Sequence, residues 1–139
     1  MRKILLAVVV IWSCSHSSGP NMVTNPPQPM GPATFTEIAQ FMGQNCSISG
    51  CHGATGTQPI QKPQNLSTSA SAYAALVNVR AAGEPVFLRV QPGNPDSSYL
   101  IIKLEGRNNV GLAMPPGGSI GAARISRWRA WIAAGALNN

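Results

Sequence analysis

The distribution of apolar and polar residues divides the chain into three parts. A short apolar run occupies residues 4–12, behind two basic residues near the N-terminus. Residues 14–33 are rich in Ser, Asn, Pro and Gly without apolar periodicity, which is typical of a semi-extended tether. Apolar side chains recur at helical spacing from about residue 34 onward. We therefore predict one folded domain over residues 34–139.

The first and last predicted helices of this domain have the widest apolar faces. The first begins at Thr34 or Thr36 and ends near Gly43. Its apolar stripe consists of Phe35, Ile38, Phe41 and Met42. The last runs from about Gly121 to Leu137, with an apolar face of Ile125, Trp128, Trp131, Ile132 and Gly135. We expect its tryptophans to pack on the aromatic side chains of the first helix, and its arginines to form a solvated face.

Two shorter helices are predicted between them. One begins at Ser67 or Ser69, either of which is a suitable N-cap. The other has Asn94 as its cap and Pro95 at its first position, and runs to about Glu105. The sequence thus predicts a mainly α domain of about four helices joined by long loops.

One short stretch carries the chemistry of covalent haem attachment. Cys46, Cys51 and His52 form a C-x4-C-H sequence, in which two thiols can add to the vinyl groups of a porphyrin and the histidine can bind the iron. The usual motif has two residues between the cysteines rather than four. Gly50, which has no Cβ, would allow the two additional residues to bulge. We predict one haem c bound through Cys46 and Cys51, with His52 as an axial ligand.

Two other roles are open for the same cysteines. They could form a small-loop disulfide, with His52 as a solvated bystander, or half of a zinc site. A zinc site would need a fourth ligand, and the other histidine of the chain is His16, in the tether.

A second informative segment is Ala113-Met114-Pro115-Pro116. A methionine thioether is the usual ligand opposite histidine in electron-transfer cytochromes c, and Met114 is far enough along the chain from His52 to reach the other face of the haem. The prolines would stiffen the loop that presents it. The alternative is that Met114 fills a gap in the core. We predict Met114 as the sixth iron ligand.

The N-terminal residues predict export and lipidation. The charged and apolar segment over residues 1–13 is too short for a comfortable membrane span and is typical of a signal peptide. It ends in Ile11-Trp12-Ser13-Cys14, which resembles a bacterial lipoprotein box whose cysteine is acylated. An ordinary signal peptide that leaves Cys14 as a free thiol is the alternative. We expect an exported protein of the periplasm or outer membrane, anchored through lipid on Cys14.

The charge and composition bear on partners. The formal net charge is +6, and loss of Arg2 and Lys3 with the signal leaves +4. This modestly basic surface suits an acidic redox protein or an anionic membrane face, and we expect no nucleic acid partner. The sequence contains no catalytic triad, carboxylate pair or phosphate-binding loop, so an enzyme is not expected.

The order of these features resembles the small cytochrome c-like domains of bacterial exported proteins, most closely the planctomycete-type cytochrome c group. The shared features are a helix before C-x4-C-H-G, Asn65-Leu66, Asn94-Pro95 before Ser98-Tyr99-Leu100, Ala113-Met114-Pro115-Pro116, and Trp131-Ile132 before Gly135-Ala136. The resemblance covers roughly residues 35–136, and the wide cysteine spacing is the main departure. It implies a mainly α domain packed round a covalent haem, acting as a His/Met-ligated mono-haem electron carrier.

The resemblance also implies a partner for the histidine ring. In cytochromes c a proline carbonyl accepts a hydrogen bond from the other ring nitrogen of the proximal histidine, which fixes its tautomer. Pro63 is at the corresponding place here, and Pro59 is the alternative.

Two other functions compete with electron transfer. One is a haem enzyme or gas sensor, for which the sixth iron position must open. The other is a haem-free module with a Cys46–Cys51 disulfide that presents a basic face to a surface polymer.

Overall fold

Four α-helices form the framework of the domain in a computed structural model that describes residues 31–48, 50–54, 64–109 and 111–139. They are α1 (Phe35–Asn45), α2 (Ser69–Leu76), α3 (Tyr99–Leu104) and α4 (Ala122–Ala133). Within those residues β-pairing is limited to isolated bridges, so the prediction of a mainly α fold with four helices is confirmed. The predicted signal peptide, Cys14, nearly all of the tether and Pro63 lie outside the described residues.

Helix α1 begins at a reciprocal cap and ends at the haem motif. Thr34 Oγ1 accepts a hydrogen bond from the Glu37 amide at 3.3 Å, and Glu37 Oε2 accepts one from the Thr34 amide at 3.2 Å. The helix buries Phe35, Ile38, Ala39 and Met42. It runs slightly beyond the predicted end at Gly43, and the Cys46 amide donates to Met42 O at 2.8 Å. The first cysteine of the motif is therefore held by the last turn of a buried helix.

The starts of α2 and α3 differ from the predictions. Thr68, rather than Ser67 or Ser69, caps α2 in a reciprocal arrangement with Ser71. The prediction of Asn94 as the cap of α3 is wrong, because α3 begins only at Tyr99. Asn94 Oδ1 accepts a hydrogen bond from the Ser97 amide at 3.1 Å, which closes a turn instead of starting a helix. Asn and Asp favour helix caps and such turns for the same physical reason, so local sequence did not separate the two.

Helix α4 begins as predicted and ends early. Its N-cap is Gly121, but its last helical residue is Ala133 rather than a residue near Leu137. Gly135 has φ +102°, and the Ala136 amide donates to Trp131 O at 3.0 Å, so the chain reverses directly after the helix.

Aromatic side chains join the two ends of the domain. The Phe35 ring lies 5.2 Å from Trp131 and 5.1 Å from Tyr73, and the Phe41 ring lies 5.8 Å from Trp128, all between ring centroids. These contacts confirm that the tryptophans of α4 pack on α1. The ring separations are in the favourable range for aromatic pairs, and Phe35, Trp128 and Trp131 are buried members of the main hydrophobic core.

The arginines of α4 are at the surface but are engaged with other elements. Arg127 pairs with Glu37 of α1, Nη2 to Oε2 at 2.6 Å. Arg129 pairs with Asp96 and, at 3.0 Å, with Glu105 beyond α3. The guanidinium of Arg124 lies 4.1 Å from the centre of the Phe41 ring. Exposed ion pairs stabilise a fold weakly, so their main consequence is that these cations already have intramolecular partners.

The segment between α2 and α3 is fixed by backbone pairing. Leu88 forms isolated bridges with Arg80 and Ser98, and Val90 forms one with Val77. These bridges hold the apolar segment around Arg89 between the two short helices. Among the described residues no helix is long and apolar enough to cross a membrane.

Trp131 is the residue whose truncation should cost the fold most. It is 1% exposed, and its Nε1 donates to Leu137 O at 2.8 Å. Trp131→Ala should lower the free energy of unfolding by about 3–5 kcal/mol, the usual cost of removing a large buried aromatic side chain. Denaturant unfolding followed by circular dichroism measures this. Val86→Ala, at a side chain that is 80% exposed, is the control and should change stability by less than about 0.5 kcal/mol; equal effects would contradict the assignment of Trp131 to the core.

Candidate functional site

The C-x4-C-H sequence forms a closed turn at the end of α1. The His52 amide donates to Cys46 O at 2.9 Å, and the Cys51 amide donates to Ile48 O at 3.0 Å. The Ser47 amide donates to the same acceptor as the Cys46 amide, Met42 O, at 3.0 Å, and this wider turn closes the end of α1. Cys46, Cys51 and His52 are thereby placed on one short loop whose geometry is set by backbone hydrogen bonds.

Two glycines permit this loop. Gly50 has φ +78°, a conformation that L-residues with a Cβ rarely adopt, in agreement with its predicted role in the widened spacing. At Gly53 a Cβ would lie 3.0 Å from Ser47 O. Since that oxygen belongs to the backbone, it could not move aside without disturbing the turn. The glycine after the histidine is therefore required by a close approach within the loop.

Both cysteines of the loop are free thiols and half-buried. Burial raises the pKa of the Cys46 thiol, and the neighbouring Cys51 thiol raises it further. Cys46 is therefore a neutral thiol at pH 7. The structure has no disulfide between Cys46 and Cys51.

His52 is half-buried and electrostatically biased toward its neutral form. Burial lowers its pKa, and the positive charge of Arg89 lowers it further. A neutral imidazole is the form that binds metals. The backbone oxygen of His52 accepts a hydrogen bond from the Leu66 amide at 2.8 Å, so Leu66, which is itself buried in the core, anchors the far side of the loop.

Met114 is on a separate loop that is attached to α3. Its amide donates to Lys103 O at 2.9 Å, and Gly118 N donates to Pro115 O at 3.1 Å in the turn that follows. Its side chain is half-buried and is not part of the buried core, whereas Met42 is 1% exposed and lies within it. The position of Met114 disfavours the role of core gap-filler. Among the described residues no hydrogen bond joins Met114 to the loop of His52.

The side chains of Cys46, Cys51 and His52 are not grouped as the ligands of a zinc site are. In the described part of the chain, no three or more His, Cys, Asp or Glu side chains are grouped so that they could hold a metal ion. Thioether attachment requires no such convergence, because the thiols bond to the porphyrin edge and only the imidazole reaches the metal. The arrangement is thus compatible with haem attachment.

Arg89 is a residue near the site that the sequence pattern alone does not identify. Its side chain is 9% exposed, and its Nη1 donates to Ala75 O at 2.8 Å. The only sequence signal is an arginine within the apolar run of residues 86–90, and fully buried arginines are rare without a partner. It is also the cation that acts on His52.

Two cavities lie on the α1 side of the molecule. One, of about 410 Å³, lies along the junction of α1 and α4 and is lined by Phe41, Arg124 and Trp128 among others. The other, of about 530 Å³, lies between α1 and the start of α2. Neither is lined by Cys46, Cys51, His52 or Met114, so both are separate from the haem motif.

Comparison with known proteins identified no relative of this chain. The chain matches no protein-family model, no curated protein and no solved structure.

Proposed function

We propose that this chain is an exported c-type cytochrome, a mono-haem electron carrier anchored to a membrane by lipid. The observation that carries the proposal is the closed C-x4-C-H turn at the end of α1. That turn holds two free thiols and an imidazole biased toward its neutral form on one loop. These residues fit haem c in number, chemical type and protonation.

Each residue has a defined task in this proposal. The thiols of Cys46 and Cys51 would each hold the haem through a thioether, the S–H adding across a vinyl group so that sulfur bonds to one vinyl carbon and the hydrogen goes to the other. The imidazole of His52 and the thioether of Met114 would be the residues that ligate the iron. When bound, the haem provides a reversible one-electron couple between ferric and ferrous iron.

The loop geometry supports haem over the two alternatives. The free thiols of Cys46 and Cys51 are the form that thioether attachment requires. The lack of a converging donor set among the described residues disfavours zinc. The net charge of +4 that remains after loss of Arg2 and Lys3 supports an acidic redox protein as the partner.

One observation supports a second haem function. Met114 is held by α3, and within the described residues no hydrogen bond ties it to the His52 loop. If its sulfur does not reach the iron, the sixth position is open, and the protein is a haem enzyme or gas sensor instead.

Absorption of the mature protein from a host that attaches haem c separates these functions. Electron transfer predicts a c-type spectrum with a methionine–iron charge-transfer band at the red end. An open sixth position predicts the c-type spectrum without that band, together with binding of carbon monoxide to the ferrous form. A protein without any Soret band would overturn the haem proposal.

The lipid anchor is tested separately at Cys14, which lies outside the described residues. If Cys14 is acylated, Cys14→Ala should release the protein from the membrane fraction while haem staining is retained, because the haem cysteines are untouched. Ser13→Gly, which keeps a small residue before the cysteine, is the control and should stay in the membrane fraction. Membrane association of the Cys14→Ala protein at the wild-type level would contradict lipidation.

A further inference from the structure

Met114 is on a loop that leaves α3 and returns to it. The Arg107 amide donates to Ile102 O at 2.9 Å, and the Met114 amide donates to Lys103 O at 2.9 Å. The loop is therefore fixed at two points to neighbouring carbonyls near the end of the helix. Most of the described residues between these points are exposed, so burial in the core does not hold this part of the loop.

Glu84 contacts the loop from the segment between α2 and α3. Its Oε1 accepts a hydrogen bond from the Asn109 amide at 3.1 Å and another from the Tyr99 hydroxyl at 3.2 Å. A hydrogen bond from a backbone amide to a carboxylate is stronger than one between neutral groups. Glu84 and Asn109 are 25 positions apart in the chain, so this contact ties the loop to a different part of the fold.

Glu84 is itself held by a small packed cluster. Tyr99, which binds its carboxylate, is 6% exposed and packs with Ala81 and Ile102. The Phe87 ring stacks on the Tyr99 ring at 6.0 Å between centroids, and the Phe87 amide donates to Glu84 O at 3.0 Å. Because both the backbone and the carboxylate of Glu84 are held, the acceptor has little freedom to follow a loop that moves away.

Lys103 supports the same loop from the helix side. Its carbonyl binds the Met114 amide, and its ammonium lies against Gly111, where an added Cβ would be 3.5 Å from Nζ. The same Nζ lies 5.8 Å from the centre of the Tyr99 ring. The ammonium of Lys103 and the carboxylate of Glu84 are thus arranged around one tyrosine, and both lie against the loop that carries Met114.

We propose that Glu84 positions Met114 by holding the preceding part of its loop at Asn109. This inference rests on the proposed function, since the sulfur of Met114 is a ligand only if the loop of His52 holds a haem. A loop fixed at Asn109 as well as at its two ends samples fewer orientations, so less conformational entropy is lost when the thioether binds. Glu84 is a positioning residue, because it acts through the backbone of Asn109.

The test compares the haem-loaded Glu84→Ala variant with the wild type. Loss of a hydrogen bond to a charged group should raise the fraction of molecules with Met114 off the iron by about tenfold. Carbon monoxide binds ferrous iron only while the sixth position is open, so its binding rate should rise by the same factor. Stopped-flow absorption measures this rate under conditions in which the protein is folded.

Exchange of the Asn109 amide with solvent deuterium, followed by NMR, tests the hydrogen bond directly. The amide should exchange on the order of tenfold faster in Glu84→Ala than in the wild type, because its acceptor has been removed. An unchanged exchange rate would mean that Glu84 does not hold the loop, and the proposal would be wrong.

Two further variants separate the hydrogen bond from the charge. Glu84→Gln keeps an oxygen acceptor at the same reach, so the carbon monoxide rate should stay within about threefold of the wild type. Glu84→Asp keeps the charge but is one methylene shorter, so it should withdraw the acceptor from Asn109 and raise the rate as Glu84→Ala does. If Glu84→Ala does not fold, the comparison of Glu84→Asp with Glu84→Gln decides.

Glu37→Ala is the matched control. Glu37 also accepts a hydrogen bond from a backbone amide, that of Thr34 at 3.2 Å, and it pairs with Arg127. Its replacement removes the same kind of interactions at the start of α1, away from the Met114 loop. The carbon monoxide rate of this variant should change by less than about twofold, because distant sites act independently.

The two proposals fail in different ways. A wild-type protein without covalent haem overturns the proposed function. A wild-type haem without the methionine–iron band overturns the ligand role of Met114, and the positioning role of Glu84 with it. If the band is present but Glu84→Ala and Glu84→Asp keep the wild-type carbon monoxide rate, the role of Glu84 is wrong and the cytochrome assignment stands. An equal rise in Glu37→Ala also overturns that role, because the rate would then report stability only.

Discussion

Replacing both Cys46 and Cys51 with alanine should abolish covalent haem, so that the protein gives no haem stain on a denaturing gel. The reason is that the two thiols are the groups through which this chain can form thioether bonds within the closed turn at the end of α1. Each single variant retains one thiol and should keep part of the stain. The double variant should also be less stable than the wild type, because haem would contribute apolar surface to a small core.

The third cysteine provides the control for this result. Cys14→Ala makes the same substitution in the N-terminal segment and should leave the stain at the wild-type level. Wild-type staining of the Cys46→Ala, Cys51→Ala double variant would contradict thioether attachment.

Replacing Met114 with alanine should leave the haem covalently attached but remove one ligand of its iron. The methionine–iron charge-transfer band should vanish, and the midpoint potential should fall by on the order of 0.1 V, since axial ligation sets haem potentials over about 0.8 V. The vacated position should admit carbon monoxide or cyanide. Absorption spectroscopy and a redox titration of the purified protein measure all three effects.

Met42→Leu is the matched control for Met114→Ala. Met42 is 1% exposed within the core, so leucine of similar volume should cost less than about 1.5 kcal/mol and leave the iron spectrum unchanged. A Met114→Ala protein with the wild-type spectrum and potential would mean that the iron is open or bound by another residue. The electron-carrier proposal would then give way to an enzyme or gas sensor.

The helices with the strongest amphipathic patterns were the easiest to predict from sequence. The apolar stripe of α1 and the tryptophans of α4 indicated both the elements and their mutual packing, which the aromatic contacts confirm. The start of α3 was predicted too early because Asn94 and Pro95 are suited to a helix start and to a turn alike. The buried hydroxyl of Ser98 decides between them: it donates to Asn94 O at 2.8 Å, an interaction that local sequence does not specify.

Part of the candidate site could likewise be predicted from sequence. Cys46, Cys51 and His52 are close in sequence, so their placement on one loop follows from local backbone geometry, including the positive φ of Gly50. Arg89 could not be found by that route, because its burial depends on an oxygen of α2 and on pairing with residues on both sides of it in the fold. The approach of Met114 to His52 is likewise a tertiary property, and it stays a prediction.

The most direct test of the cytochrome assignment is the mass of the proteolytic peptide that contains residues 46–52, taken from the mature protein of a host that attaches haem c. We expect this peptide to carry the mass of one haem through Cys46 and Cys51, and to absorb in the Soret region after denaturation. A peptide with two unmodified thiols, or with a Cys46–Cys51 disulfide and no haem, would contradict it.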